Sequence, residues 1–414
     1  MRIEPDTLES KTTGPETGAP EGVRLAIPLA RWADRQLEAL ARDHGLPRLD
    51  GATLLGERAA NGGFRIGGRV SAGLGGSRLL PTRDGKWFAL TLIRDIDREL
   101  LPALFGTTDL AVHDDAAIAA TTLEHECAEL LERGRALGLP VASADESPVS
   151  APVEVIERGE HRARPRGHRL LVVDLSAIWA GPLAGHLLWQ AGMEVVKVES
   201  RTRPDLIRRD DPSTFDLINQ GKANLLVDFA SHEEKARLVD LIRRADIVIE
   251  SSRPRALRHL GIDADALVRE VPGLVWLSVT GHGARGEAAG WTGIGNDCGV
   301  AGGLSRALAR ASGRMGYVGD AIADPLTGIV AARSALRALR EGHAVRIGLA
   351  MSAIANMALA EETGFDPAAL EIELRTWGLA VGRPFPPVSR RSLTAAVRPL
   401  GADTHRYLAE PAPC

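Results

Sequence analysis

From residue 169 onward, short apolar runs alternate with amphipathic or small-residue runs, and this alternation narrows the fold more than any other feature. "RLLVVDLS" reads as a strand, "GPLAGHLLWQAG" as a helix with a glycine just past its end, and "MEVVKVES" as the next strand. "KARLVDLIRRA", "DIVIES", "ALVREVPG" and "LVWLSVTG" repeat the pattern, and "DPLTGIVAARSALRALREG" adds a long helix. "AVRIGLAMSAIANMAL" adds a strand leading into a helix. Strands separated by helices at this spacing imply a mostly parallel, doubly wound sheet with helices on both faces. A chain of 414 residues is long for a single core, so a second unit is expected.

The first third has a different texture. "LARWADRQLEALARDHG" predicts a helix closed by Gly45, and "AAIAATTLEHECAELLERGRALG" predicts one long helix ending at Gly138. Between them "SRLLPTRDGKWFALTL" predicts a hairpin with Asp84-Gly85 in the turn. The expected organisation is therefore a disordered tail over 1–22, a smaller α+β domain over 23–142, a Pro- and charge-rich linker over 143–166, and the α/β domain over 167–414. The closing segment is Pro-rich and then briefly helical.

Charge and cysteine content limit the function classes. A net charge of -4 gives no basic footprint for nucleic acid. The three cysteines, Cys127, Cys298 and Cys414, form no CxxC pair, so neither a metal site nor a disulfide framework is expected, and a reducing cytoplasm fits. The sequence holds no apolar run of membrane-spanning length, so no membrane association is expected.

A sheet of this type binds ligands at the carboxyl ends of its strands. The first such end reads "DLSAIWAGPLAG", Asp174 to Gly185. It is neither a GxGxxG fingerprint nor a P-loop, which disfavours a dinucleotide. Gly181-Pro182 fits a plain turn into a helix. The other conspicuous stretch is "GDAIADPLTGIVAA", Gly319 to Ala332. Asp324 before Pro325 suits an N-cap, and a carboxylate at a helix mouth is also a candidate nucleophile that the helix dipole would keep ionised. Asp320 reads as a solvent-exposed turn residue. Cys298 reads as a small buried residue.

The segment "VVDLSAIWAGPLAGHLLWQAGMEVVKVES" resembles the opening of the family III CoA-transferases, a group that includes formyl-CoA transferase, carnitine CoA-transferase and α-methylacyl-CoA racemase. Four further segments resemble that family in the same order: "FDLINQGKANLLVDF", "DIVIESSRPRALRHLGI", "LVWLSVTGHGARG" and "GDAIADPLTGIVAARSALRAL". Together they cover roughly residues 170–355. The hairpin segment "SAGLGGSRLLPTRDGKWFAL" resembles the family's small domain, which normally follows the large one, so a permuted order is implied.

The resemblance implies transfer of CoA between an acyl-CoA thioester and a carboxylic acid, with coenzyme A entering as substrate. It makes Asp324 the nucleophile, through an aspartyl anhydride and thioester. The family's racemases place a histidine where "GIGNDCG" has Asn296; an amide does not exchange protons at neutral pH, so racemisation is the lesser alternative and Asn296 becomes a donor to the thioester carbonyl. His282 reads as a structural part of the Gly-x-Gly turn. Backbone contacts to pantetheine fall at Ile178, Trp179 and Ala180. Nucleotide contacts fall at Arg201, Arg203 and Ala256, with Arg253 a phosphate partner and Arg255 and Arg258 further candidates or merely a solvated basic face. Gly75 and Gly76 belong to a glycine loop, 73–76, that would cover the thioester. His259 and Ser251-Ser252 depart from the family pattern and keep open a CoA-ester binder without turnover. A homodimer is the implied assembly.

Overall fold

The computed structural model describes residues 25–72, 76–164, 167–252 and 254–408. A small antiparallel sheet comes first, with β1 (Ser77–Pro81), β2 (Trp87–Thr91) and β3 (Val141–Ser143) in the order β1-β2-β3. The expected hairpin is there: Pro81 pairs with Trp87 across a turn in which Gly85 has a φ of 71°. Thr82 Oγ1 donates to Asp84 Oδ1 at 2.6 Å within it.

Among the described residues, seven strands form the main sheet. They are β4 (Val153–His161), β5 (Leu171–Asp174), β6 (Glu194–Ser200), β7 (Ala223–Val227), β8 (Ile247–Glu250), β9 (Val275–Thr280) and β10 (His343–Ala350), in the order β4-β10-β9-β8-β5-β6-β7. All neighbours are parallel except β4, which runs antiparallel to β10 at the edge. The chain leaves β5 for β6 on one side and later returns to β8 on the other. That makes the end of β5 the switch point, where a crevice opens at the strand carboxyl ends.

Helices cover both faces, as the alternation predicts. Helices Ala180–Gln190 and Ala323–Glu341 pack one face through Leu183, Leu187, Leu326 and Ile329 against Val172, Ile249 and Leu277. Helices His232–Arg243 and Ala264–Glu270 cover the other through Leu238, Leu241 and Leu267 against Val173, Val248 and Trp276. Helix Ala323–Glu341 is apolar nearly all round in its first three turns, as burial between sheet and neighbouring helices requires. Among the described residues, no helix is long and apolar enough to cross a membrane.

Three expectations need correction. The stretch 143–166 is not simply a linker, because Val153–His161 is strand β4 of the main sheet. Its alternation of half-buried and exposed residues is an edge-strand pattern that the flanking prolines and charges obscured. Next, the two first helices do not pack as part of a small domain. Ile27, Trp32 and Leu37 share one core with the main sheet, as do Leu54 and Leu55 of helix Gly51–Asn61. Finally, the long helix expected up to Gly138 is two helices, Asp115–Thr122 and Cys127–Leu137. The break is pinned to the hairpin turn: Arg83 N donates to His125 O at 2.9 Å, and Cys127 N donates to Asp84 Oδ1 at 3.2 Å. The tail expected over 1–22 lies outside the described residues.

The small sheet docks on the short helix Gly295–Ala301. Leu79, Ala89 and Ala142 meet Val300, Ala301 and Tyr317 in a separate apolar cluster. This contact brings the hairpin to the mouth of helix Ala323–Glu341.

Candidate active site around Asp324

Beneath the switch point lies a buried ion network. Asp174, the last residue of β5, accepts from Lys222 Nζ at 2.9 Å; Lys222 also donates to Pro182 O at 2.8 Å and to Asn219 Oδ1 at 3.0 Å. Lys197 Nζ donates to Ser176 O and to Asp205 Oδ2, both at 2.7 Å. Asp205 in turn accepts Ile178 N–H at 3.1 Å. The network fixes the loop from Ser176 to Trp179, and with it the start of helix Ala180–Gln190. Ile178 sits there with a φ of 71°, a left-handed conformation that a β-branched residue adopts only when its surroundings enforce it.

Asp324 stands in the first turn of helix Ala323–Glu341, but Ile322 occupies the N-cap position. The N-cap expectation is therefore corrected. The turn through Gly319 and Ala321 starts the helix earlier, which leaves the Asp324 side chain free to point elsewhere. Its carboxylate accepts the backbone N–H groups of Ala180 and Gly295, the opening residues of two other helices. Burial dominates its chemistry: desolvation pushes its pKa up to about 7, against the pull of Arg58 and the two amides, and Asp320 adds to the rise. The dipole does not keep it fully ionised, as the sequence reading supposed, because loss of water outweighs the amides.

Gly295 is required by close approach. A Cβ there would overlap Asp324 Oδ2 and crowd Ala321. Gly295→Ala is expected to destabilise the fold by about 1–3 kcal/mol through this overpacking. Chemical denaturation checks it, and an unchanged midpoint would show that the carboxylate can move aside.

Asn296 follows. Its Oδ1 accepts Ala321 N–H at 2.8 Å, holding a second non-glycine residue at positive φ, 55°. Its Nδ2 donates to Ser77 Oγ at 3.3 Å, and Ser77 Oγ lies 3.0 Å from Thr91 Oγ1. Thr91 Oγ1 donates to Asp297 Oδ1 at 3.0 Å, tying the hairpin to the site. Burial pushes the Asp297 carboxyl up to about 7. His282 is buried beside Trp291, and desolvation lowers its pKa to about 4, so it is a neutral packing residue. Cys298 is fully buried, and its thiol donates to Gly281 O at 3.4 Å. His282, Asp297 and Cys298 offer ligand atoms within 4.8 Å of one another, a cluster their sequence positions did not suggest.

Two cavities meet at Asp324. The first lies at the strand ends and is lined by Ala177, Gly181, Ser251, Ser252, Trp291 and Met351 among others. The second lies between the main sheet and the hairpin, occupies about 230 Å³, and is lined in part by Ser77, Leu92, Trp179, Ile207 and Asn296. Among the described residues, only Ile178, Ile294 and Asp324 line both.

Sequence reasoning missed Arg58, which lines the second cavity from helix Gly51–Asn61. "GATLLGERAAN" has too few large apolar residues to show a clear stripe; the signal was Asp50, whose side chain caps the helix through Ala52 N at 2.8 Å. Arg58 pairs with Asp211 at 3.3 Å and with Asp320 at 3.2 Å. Asp320 is therefore not an exposed turn residue: it is 1% exposed, drawn inward by this guanidinium.

The other expected site residues divide. Ile178 and Ala180 line the cavities, but their N–H groups are engaged by Asp205 and Asp324, while Trp179 presents its ring. Gly76 lines the second cavity, and a Cβ there would collide with Leu92 O. Arg201, Arg203 and Ala256 are exposed beyond the ends of β6 and β8, outside both cavities, with Arg201 3.6 Å from Glu234. Arg258 and His259 are likewise exposed. Gly75 and Arg253 lie outside the described residues.

The fold and the site define an α/β protein organised around one buried carboxylate shared by two cavities. Residues 168–368 match the family model CoA-transferase family III. Succinate–glutarate CoA-transferase of Agrobacterium fabrum is 29% identical over 208 residues, 46% of this chain and 52% of that protein. A probable fatty acyl-CoA transferase of Mycobacterium tuberculosis, Rv3272, is 30% identical over 187 residues, 43% of this chain and 47% of that one. The crystal structure of the latter superposes with a TM-score of 0.43 at 28% identity, covering 48% of this chain and 59% of that one. The chain thus spans about half the length of the curated relatives it matches.

Proposed function

We propose that this chain transfers CoA between an acyl-CoA and a carboxylic acid, with Asp324 as nucleophile. The observation that carries the reading is the position of Asp324: it is the one titratable group that lines both cavities among the described residues. On this reading the strand-end cavity takes the pantetheine arm, with the nucleotide running out toward Arg201 and Arg203, and the second cavity takes the acyl group.

The Asp324 carboxylate attacks the thioester carbonyl, forming a mixed anhydride and releasing CoA thiolate. The thiolate attacks the aspartyl carbonyl, which releases the donor acid and leaves an aspartyl-CoA thioester. The acceptor carboxylate then attacks that thioester, and the returning thiolate collects the new acyl group and restores Asp324. Asn296 offers its second amide hydrogen to the thioester carbonyl as charge develops there. Burial excludes the water that would hydrolyse the anhydride. Racemisation would need a second base, and the amide at position 296 does not supply one.

Incubation with an acyl-CoA followed by hydroxylamine or borohydride tests this. A modification located on Asp324 by mass spectrometry is the expected result. Bound CoA with no adduct leaves a binder, and α-deuterium exchange without an adduct points to proton transfer. Because the nucleophile must be ionised and its pKa lies at about 7, the acylation rate is expected to rise about tenfold per pH unit below that value and to level off above it. Single-turnover rates between pH 5 and 9 check the sign; a rate that falls with rising pH would require the protonated acid instead.

A further inference from the structure

Resting on the transferase reading, we infer that the second cavity selects acyl groups with uncharged, apolar tails and rejects those carrying a second carboxylate. The cavity wall is built largely from Leu92, Ile93, Ile178, Trp179, Ile207 and Ile294.

Arg58 is the one cation in the lining among the described residues. An arginine in an acyl pocket ordinarily signals an anionic substrate, because its planar fork matches a carboxylate. Here the protein's own carboxylates already engage two of its three nitrogens. Asp211 lies 3.3 Å from Nε and Asp320 lies 3.2 Å from Nη1, and both acids are buried. The guanidinium is itself mostly buried over the Trp179 ring, 5.5 Å from its centre. Two acids face one cation at this corner, so carboxyl groups outnumber guanidinium groups there before Asp324 and Asp210 are counted. A tail carboxylate entering it would lose its water and meet like charge, whereas an alkyl tail would only cover apolar side chains. Donor and acceptor tails visit the same space in turn, so the selection applies to both.

The test compares two thioether analogues that cannot acylate the enzyme, S-butyl-CoA and S-(3-carboxypropyl)-CoA, by calorimetry on the full chain. S-butyl-CoA is expected to bind at least about tenfold more tightly. Equal affinity, or tighter binding of the carboxylate analogue, overturns the inference. In Asp211→Asn, which removes one of the two acids on Arg58, the preference is expected to shrink several-fold. An unchanged ratio would overturn the role given to the acid-paired guanidinium, and the wild-type ratio decides the selectivity even if that variant does not fold. The binding arm needs no turnover. Trapping with butyryl-CoA in parallel tests the transferase reading by itself, so selective binding without an Asp324 adduct would remove that reading and leave the selectivity standing.

Discussion

Asp324→Asn is expected to bind CoA thioesters, to form no trappable adduct, and to lose at least about 10⁴-fold in CoA exchange. The substitution keeps the shape and one oxygen to accept from Ala180 or Gly295, the two amides that the carboxylate engages. It removes the only atom pair able to open a thioester from this position. The loss should therefore fall on the chemical step, with analogue binding little changed. Intact-mass spectrometry after acyl-CoA treatment and exchange of a labelled acid into CoA ester are the two measurements. Exchange within tenfold of the wild type would place the nucleophile elsewhere and end the proposed mechanism.

The largest effect on stability is expected at Lys222. Lys222→Met deletes the cation that donates to Asp174 Oδ2, Pro182 O and Asn219 Oδ1, all inside the fold. Asp174 is fully buried; desolvation works against its charge, and Lys222 and Lys197 overcome it and hold its pKa below the usual carboxylate range. Desolvation lowers the Lys222 amine to about 8, and Asp174 limits the fall. Removing one partner strands the other, and a broken buried pair costs about 3–5 kcal/mol. Urea denaturation reads this directly. A loss below about 1 kcal/mol would mean that Lys197 takes over the Asp174 carboxylate, which the existing proximity of the two lysines makes a testable outcome.

The sheet was legible from β5 onward because a parallel sheet buried on both faces writes each strand as an apolar run and each helix as a patterned one. Asp324 was legible as a charge set in an apolar helix. Its environment was not. The capping role fell to Ile322 because the turn at Gly319–Ala321 is set by Asn296, a contact that no local spacing encodes. Arg58 was hidden for a similar reason: its helix has a modest apolar stripe, and its two acidic partners lie 153 and more than 250 residues away. Strand β4 was hidden because an edge strand with one partner tolerates the polar residues that ordinarily mark a loop.

The hydroxyl link between the hairpin and helix Gly295–Ala301 joins positions 206 residues apart. The wall that keeps water from Asp324 therefore emerges from the ribosome long before the group it shields, and it stays incomplete until distant parts of the chain have met. Such non-local closure is slow, and until it is made the second cavity lacks the wall that Ser77, Thr91 and Leu92 give it. On the proposed transferase reading, competence therefore depends on the docking of the hairpin as well as on the formation of the sheet.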